Sequence, residues 1–164
     1  MPRAKTTRAG APQGQKRYQA RPPGAVMPEC VCAALRMATR AVTQIYDDAM
    51  RPSGLRVTQY SLLARIARLQ PVNAATLEDE MYADQTTLAR ALKVLEKDGL
   101  IRRVPNPDKR VKQIELTQAG RKRLVDAREL WAAAQADIVG LIGDAAWKDT
   151  RTRLVRLLDA VAER

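Results

Sequence analysis

The chain has 164 residues, a net charge of +11 and a hydrophobic content of 46%. This length predicts one domain, and the apolar content is enough for a buried core. Histidine is absent, which excludes Ser-His-Asp catalysis, Cys-His catalysis and every metal site that uses histidine. The sequence also lacks the GxGxxG and GxxxxGK[ST] loops. We therefore predict no catalytic site, no metal and no cofactor.

Residues 1–28 are predicted to form a disordered basic tail, because they are rich in Pro, Gly, Gln, Thr and Ala and have no apolar periodicity. They hold six cations and no acidic residue, which leaves a net charge of +5 for the rest of the chain. Neither a signal peptide nor a membrane span is predicted, so we expect a cytoplasmic protein. The tail either adds phosphate contacts to a nucleic acid or has no role.

Residues 29–164 are predicted to form a single domain that opens with a helix over 29–51. An apolar stripe runs along this helix and consists of Leu35, Ala38, Val42 and Ile45. Pro52, Ser53 and Gly54 end it. A second helix is predicted from Thr58 to Pro71, and its inner face consists of Tyr60, Leu63, Ile66 and Ala67.

The next two helices have the spacing of a helix-turn-helix. The first, Thr76 to Met81, is separated by the break Tyr82 to Asp84 from a helix with the sequence QTTLARALKVLEK. Asp84 is its predicted N-cap and Gly99 its predicted left-handed C-cap residue. Its inward residues are Leu88, Ala91, Leu92 and Leu95; its outward residues are Gln85, Thr86, Ala89, Arg90, Lys93 and Lys97.

Two strands joined by a basic turn are predicted after this helix. Apolar residues at Leu100, Ile101 and Val104 precede a turn around Pro105 and Pro107, and the pattern resumes at Val111, Ile114 and Leu116. Eight basic and three acidic residues lie between Thr86 and Lys112. The sequence therefore predicts a winged helix-turn-helix over 55–116. An ordinary amphipathic helix followed by a solvated hairpin is the alternative.

Two long helices are predicted over 117–164, on either side of Gly143. Their apolar stripes consist of Leu124, Ala127, Trp131, Ala134 and Ile138, and of Leu154, Leu157, Leu158 and Val161. A short chain has little core of its own to cover these stripes, so we expect a homodimer built on 29–51 and 117–164. Packing within one monomer is the alternative. The predicted class is mainly α with a small β-hairpin wing (α+β).

From Cys30 to the C-terminus the chain resembles the MarR family of bacterial transcription regulators. The resemblance rests on DQTTLARALKVLEKDGLI, on Asp108-Lys109-Arg110 in the D-x-R pattern, on LTQAG at Leu116 to Gly120, and on the flanking helices. It implies a homodimer that binds a pseudo-palindromic double-stranded operator. The implied DNA-binding residues are Gln85, Thr86, Thr87, Arg90, Lys93, Asp108, Lys109, Arg110 and Lys112. Among these, Arg110 would enter the minor groove and Asp108 would orient it. Tyr82 stands where the family often has glycine.

The first helix is similar to that of the organic-hydroperoxide sensors within this family. Cys32 and Tyr46 match their reactive cysteine and the tyrosine that contacts it, whereas Arg36 and Val57 replace two other tyrosines. A thiol in the first helical turn is favoured for reaction, and two small buried residues at Cys30 and Cys32 are the alternative. The candidate ligand-binding or redox residues are Cys32, Arg36, Arg40, Tyr46, Tyr60 and Trp131.

The resulting hypothesis is a homodimeric repressor at the nucleoid. A small anionic aromatic ligand, such as an aromatic carboxylate, or oxidation of Cys32 would release it from DNA. Three alternatives remain open: a sequence-indifferent nucleoid-type DNA-binding protein, a thiol peroxidase that depends on Cys32, and a protein that binds structured RNA.

Overall fold

The computed structural model describes residues 26–107 and 111–163. Six α-helices and three short strands form this part of the chain. They are α1 (Val31–Met50), α2 (Val57–Leu69), β1 (Val72–Asn73), α3 (Ala74–Met81), α4 (Gln85–Lys97), β2 (Ile101–Val104), β3 (Gln113–Leu116), α5 (Gln118–Ile142) and α6 (Asp144–Ala162). A 3₁₀ turn, Arg51–Ser53, follows α1. The predicted class, mainly α with a small β wing, is confirmed.

The described residues divide into two compact units, and the boundary lies between Ala41 and Val42. In the first unit, α1 begins with a hydrogen bond of 3.0 Å from the Ala34 N–H to the Cys30 carbonyl. Cys32 therefore lies in the first helical turn, as predicted. Both cysteines are exposed and neither forms a disulfide, so the alternative of two buried residues is wrong for the isolated chain.

The core of the second unit is formed by α2, α3, α4 and the small sheet. Leu63, Ile66, Leu77, Leu95 and Leu116 are each fully buried. On α4 the three leucines predicted to face inward are buried, because they repeat at helical spacing on one side. The core cluster contains no buried polar or charged residue among those described. This packing holds α4 against the domain by its apolar side and leaves the opposite side in solvent.

The sheet has three antiparallel strands in the order β1-β3-β2. Strands β2 and β3 are the predicted hairpin, with Ile101 opposite Leu116. The prediction of a hairpin alone was incomplete, because Val72 and Asn73 of β1 pair with Ile114 and Gln113 of β3. A two-residue strand is too short to show the alternation on which strand prediction depends.

The LTQAG segment ties the start of α5 to the turn that follows α4. Thr117 caps α5 by accepting from the Gly120 N–H at 3.0 Å, and its hydroxyl donates to the Gly99 carbonyl at 2.6 Å. Gly120 packs so closely on the backbone of Leu100 that an added Cβ would lie 1.9 Å from the Leu100 carbonyl oxygen. The motif therefore requires glycine at this position for steric reasons.

Candidate nucleic-acid interface

The turn between α3 and α4 has the predicted length, with Tyr82 to Asp84 outside both helices. Tyr82 ends α3 in the left-handed conformation, at φ 49°, which glycine adopts more easily than tyrosine. Asp84 caps α4 by accepting from the Thr87 N–H at 2.9 Å. Hydrogen bonds from Thr87, first from its side chain and then from its backbone, lower the pKa of the Asp84 carboxyl. The sequence rules for both helix ends are therefore followed, except at Tyr82.

Two arginines of α2 hold α3 through one carboxylate. Glu80 of α3 accepts from Arg65 at 2.7 Å and from Arg68 at 2.5 Å. This bridge could not be predicted from the sequence, because its partners lie on different helices and the residue spacing along one helix gives no sign of it. The bridge joins α2 to α3, the first helix of the helix-turn-helix. Because α3 packs against α4, the bridge also helps to fix the direction in which α4 projects.

The outward side of α4 gathers most of its predicted DNA-binding residues. Gln85, Thr86, Arg90 and Lys93 line one shallow cleft of about 420 Å³, together with Ala89. Thr87 is exposed but lies outside this cleft, and its N–H is used by the Asp84 cap. Ala89 was not among the predicted site residues, although it follows Gln85 by four residues and the helical period places it on the same side. Its small side chain leaves open space between the longer ones.

Charges on α4 and on the wing differ in whether they are already neutralised. On β2, Arg102 pairs with Glu115 and Arg103 pairs with Glu96. Arg90 and Lys93 are exposed and form no ion pair with any residue that the structure describes. Since a paired cation offers less to a phosphate or base than an unpaired one, Arg90 and Lys93 are the better candidates for nucleic-acid contact.

The wing is described only in part. Its strands are in place, and Lys112 is exposed next to β3. The three residues of the predicted wing tip, Asp108, Lys109 and Arg110, lie outside the described residues. The orientation of Arg110 by Asp108 thus stays a prediction.

Three of the predicted ligand-binding residues gather along one side of α5. Tyr60 of α2 stacks on Trp131, with ring centroids 5.7 Å apart and an interplanar angle of 20°. The hydroxyl of Tyr46 donates to the side chain of Gln135, which follows Trp131 by four residues. Burial raises the pKa of both tyrosines, and the nearby Arg128 partly opposes this for Tyr60. Both hydroxyls are therefore neutral at ordinary pH.

The other three candidates lie in the first unit. Cys32, Arg36 and Arg40 are exposed on α1, and the two arginines line a shallow cleft of about 300 Å³ with Leu35 and Thr39. Spacing of four residues places all three on the same side of the helix. Within the described part of the chain, no group of three or more cysteine, aspartate or glutamate side chains is arranged to hold a metal ion. No helix described here is both long and apolar enough to cross a membrane.

Comparison with known proteins identifies the family. Residues 55–112 match the sequence model of the MarR family. The M. tuberculosis transcriptional regulator MosR, solved in complex with DNA, is 39% identical, and the match covers 82% of this chain and 98% of MosR with a TM-score of 0.74. The chain belongs to the MarR family of transcriptional regulators. The resemblance to the MarR family is thereby confirmed, and the similarity of α1 to the organic-hydroperoxide sensors stays a prediction.

Two more distant relatives extend the comparison. The MarR-like fold is shared by CouR from Rhodococcus jostii RHA1, solved with p-coumaroyl-CoA, which is 26% identical over 79% of this chain and 91% of CouR with a TM-score of 0.65. The transcriptional regulator SarZ of Staphylococcus epidermidis is 30% identical over 92 residues, which are 56% of this chain and 62% of SarZ. The match therefore spans less than two thirds of SarZ. MosR, CouR and SarZ are all transcriptional regulators, in agreement with the prediction of a regulator and not of an enzyme.

Proposed function

We propose that this MarR-family protein is a homodimeric repressor that binds a pseudo-palindromic DNA operator through α4 and the wing. The observation that carries the proposal is the unpaired cationic side of α4, where Arg90 and Lys93 line one cleft with Gln85 and Thr86. Arginine and glutamine can make bidentate contacts with base edges, whereas threonine and lysine suit phosphates. The similarity to MosR, which was solved with DNA, supports the same partner.

The proposed dimer rests on apolar side chains that the chain itself leaves in solvent. On α6, Val155, Leu158 and Val161 are 49%, 41% and 59% exposed. On α1, Val42 and Ile45 are each 37% exposed. Apolar rows of this kind at helical spacing are typical of an interface between copies. In such a dimer the two copies of α4 would lie about 34 to 36 Å apart, one turn of B-form DNA.

We further propose that a small anionic aromatic compound, or oxidation of Cys32, lowers the affinity for the operator. In the first unit, Arg36 and Arg40 line a cleft that suits the anionic group of such a compound. In the second unit, the stacked Tyr60 and Trp131 offer an aromatic surface. The relative CouR was solved with p-coumaroyl-CoA, which contains an aromatic acyl group and phosphates. Typical couplings of about 1 to 3 kcal/mol would reduce DNA affinity roughly 5- to 150-fold.

The proposed function is tested by selecting duplexes from a random library with the purified chain. A regulator should enrich one inverted repeat and prefer it over a scrambled duplex by about a thousandfold or more. Equal affinity for both duplexes, with a steep dependence on salt, would instead favour the sequence-indifferent nucleoid-type protein. The complex with the selected duplex is then titrated with peroxide and, separately, with a panel of aromatic acids. The compound that releases the DNA identifies the sensing mode.

A further inference from the structure

Two Arg–Glu ion pairs connect strand β2 of the wing to other elements, one to β3 and one to α4. Arg102 Nε lies 2.8 Å from Glu115 Oε1, which joins β2 to β3 within the wing. Arg103 Nε lies 3.1 Å and 3.2 Å from the two carboxylate oxygens of Glu96, in the last turn of α4. Among the ion pairs of the described residues, the Glu96–Arg103 pair is the one that connects α4 to a wing strand.

The strand register explains why Arg103 reaches α4. Ile101 lies opposite Leu116, and Arg103 lies opposite Ile114. Cross-strand partners share one face of a sheet, and Ile101, Ile114 and Leu116 are all buried. Arg103 therefore occupies the core-facing row of β2, at the end where the wing leaves the core. Its side chain is 45% exposed and that of Glu96 is 39% exposed, so the pair lies at the rim of the core.

The backbone between α4 and the wing is a short turn in which Gly99 adopts φ 69°, a conformation that favours glycine. Hydrogen bonds from Leu100 N–H to the Leu95 carbonyl and from Gly99 N–H to the Glu96 carbonyl close this turn. The Glu96–Arg103 pair adds a side-chain connection further along β2, between Arg103 and the last turn of α4.

We propose that Glu96 and Arg103 form a positioning pair that sets the angle between α4 and the wing, and so determines how well the protein discriminates its operator from other DNA. The proposal rests on the proposed function, since it concerns the same DNA-binding surface. Neither residue needs to contact a base. The pair is too exposed to contribute much to folding, but a binding constellation has to be held to within about half an ångström by its supporting residues.

A charge effect and a positioning effect predict different results for the single variants. Glu96→Gln removes a negative charge and Arg103→Gln removes a positive one. If only charge mattered, the first would strengthen and the second would weaken binding to every duplex, and the ratio of affinities for selected and scrambled duplexes would not change. If the pair sets the angle, both variants lower this ratio.

The experiment measures that ratio at one salt concentration, on the duplex selected by the wild-type chain and on its scrambled version. We expect each single variant to lower the ratio about fivefold, the size of effect that an exposed ion pair can supply. The exchanged variant, Glu96→Arg with Arg103→Glu, should recover most of the loss. Arg102→Gln and Glu115→Gln are the matched controls, because they break the neighbouring Arg–Glu pair, which joins β2 to β3 and does not involve α4, and they should leave the ratio unchanged.

Footprinting separates a change of angle from a general loss of structure. In the Glu96 and Arg103 variants, hydroxyl-radical protection of the minor groove under the wing should weaken, while methylation protection of guanine N7 under α4 persists. Melting temperatures near that of the wild type, with Arg103→Lys as a milder variant, show that the chain still folds.

Three results would overturn the positioning pair: an unchanged ratio in both single variants, an equal loss in the control pair, or no recovery in the exchanged variant. A wild-type chain without any sequence preference would instead overturn the proposed function itself, and the pair would then have no discrimination to set. The two failures are distinguished by the wild-type measurement alone.

Discussion

Arg90 and Lys112 are two exposed cations for which the geometry predicts different effects on DNA binding. Arg90 lies in the α4 cleft beside Gln85 and Thr86, whereas Lys112 lies in the loop just before β3. Arg90→Ala should therefore cost about 1 to 3 kcal/mol on the selected duplex and relax discrimination at one or two base pairs. Lys112→Ala should weaken selected and scrambled duplexes alike, because a phosphate contact carries no sequence information.

Titrations of both variants on duplexes with single base changes check this contrast. The salt slope of Lys112→Ala should fall by about one, the loss of a single phosphate contact. If Arg90→Ala lost the same affinity on every duplex, Arg90 would be a phosphate contact and its assignment to base recognition would be withdrawn.

Gly120 and Gly140 are helical glycines of α5 in opposite surroundings, and they form a matched pair for a stability test. A Cβ at Gly120 would lie 1.9 Å from the Leu100 carbonyl oxygen, whereas a Cβ at Gly140 would meet nothing within 4 Å. Gly120→Ala should therefore destabilise the fold by about 3 kcal/mol, by forcing α5 away from the wing root. Gly140→Ala should stabilise it by about 0.5 to 1 kcal/mol, because alanine favours helix. Urea unfolding measures both, and a tolerated Gly120→Ala would contradict the close packing of α5 on Leu100.

At the scale of helices and strands, the rules for helix caps and apolar spacing predict an element correctly wherever neighbouring residues alone determine where it begins and ends. Asp84 caps α4 and Gly99 follows it in the left-handed conformation, as their residue types predict. The apolar rows of α2 and α4 are buried as their spacing predicts. In contrast, β1 exists only because β3 is there to pair with it, and no pattern within two residues can indicate that.

The candidate site divides in the same way. The outward residues of α4 follow from helical period alone, since a helix with one buried row exposes the opposite one. The ion pairs around the helix-turn-helix do not follow from it, because Arg65 with Glu80 and Arg103 with Glu96 are brought together by tertiary packing. Helical period therefore predicts which residues of α4 are exposed, whereas the ion pairs that connect neighbouring elements are seen only in the folded chain.

The N-terminus of α4 should be sensitive to acid through its cap. Hydrogen bonds from Thr87 lower the pKa of Asp84 from its ordinary value of 3.8. A carboxyl whose pKa is lower in the folded state stabilises the fold at pH values above the unfolded pKa, and this stabilisation is lost as the pH falls through the folded pKa. Asp84 should thus contribute at neutral pH and cease to contribute in acid below 3.8.

Melting temperatures of two variants across this pH range test the cap. Asp84→Ala should melt below the wild type at neutral pH, because α4 loses an N-cap acceptor. Asp84→Asn keeps an acceptor but cannot ionise, so the difference between wild type and this variant should shrink as the pH is lowered. A difference that is independent of pH would show that the charge of Asp84 has no part in the stability of α4.

For the whole molecule, the proposed mechanism needs two copies of α4 on one duplex. A single copy would contact only one half-site, so affinity and spacing both depend on the dimer. The exposed row on α6, which includes Leu158 at 41% exposure, is the part of the second unit that best fits such an interface. Val125 on α5 is more exposed, at 68%, but it lies apart from this row in the sequence and serves as a control position.

Leu158→Glu should convert the dimer into a monomer, because a two-fold interface would bury the new carboxylate twice without a partner. We expect the dissociation constant of the dimer to rise at least about a hundredfold, since every 1.4 kcal/mol changes it roughly tenfold. Val125→Glu should leave it unchanged. Sedimentation equilibrium of the wild type and both variants measures the effect, and gel shifts should show that Leu158→Glu loses affinity for the full inverted repeat far more than for an isolated half-site. A Leu158→Glu protein that stays dimeric would show that α6 is not part of the interface. A monomeric wild type would contradict the proposal that two copies of α4 bind one duplex.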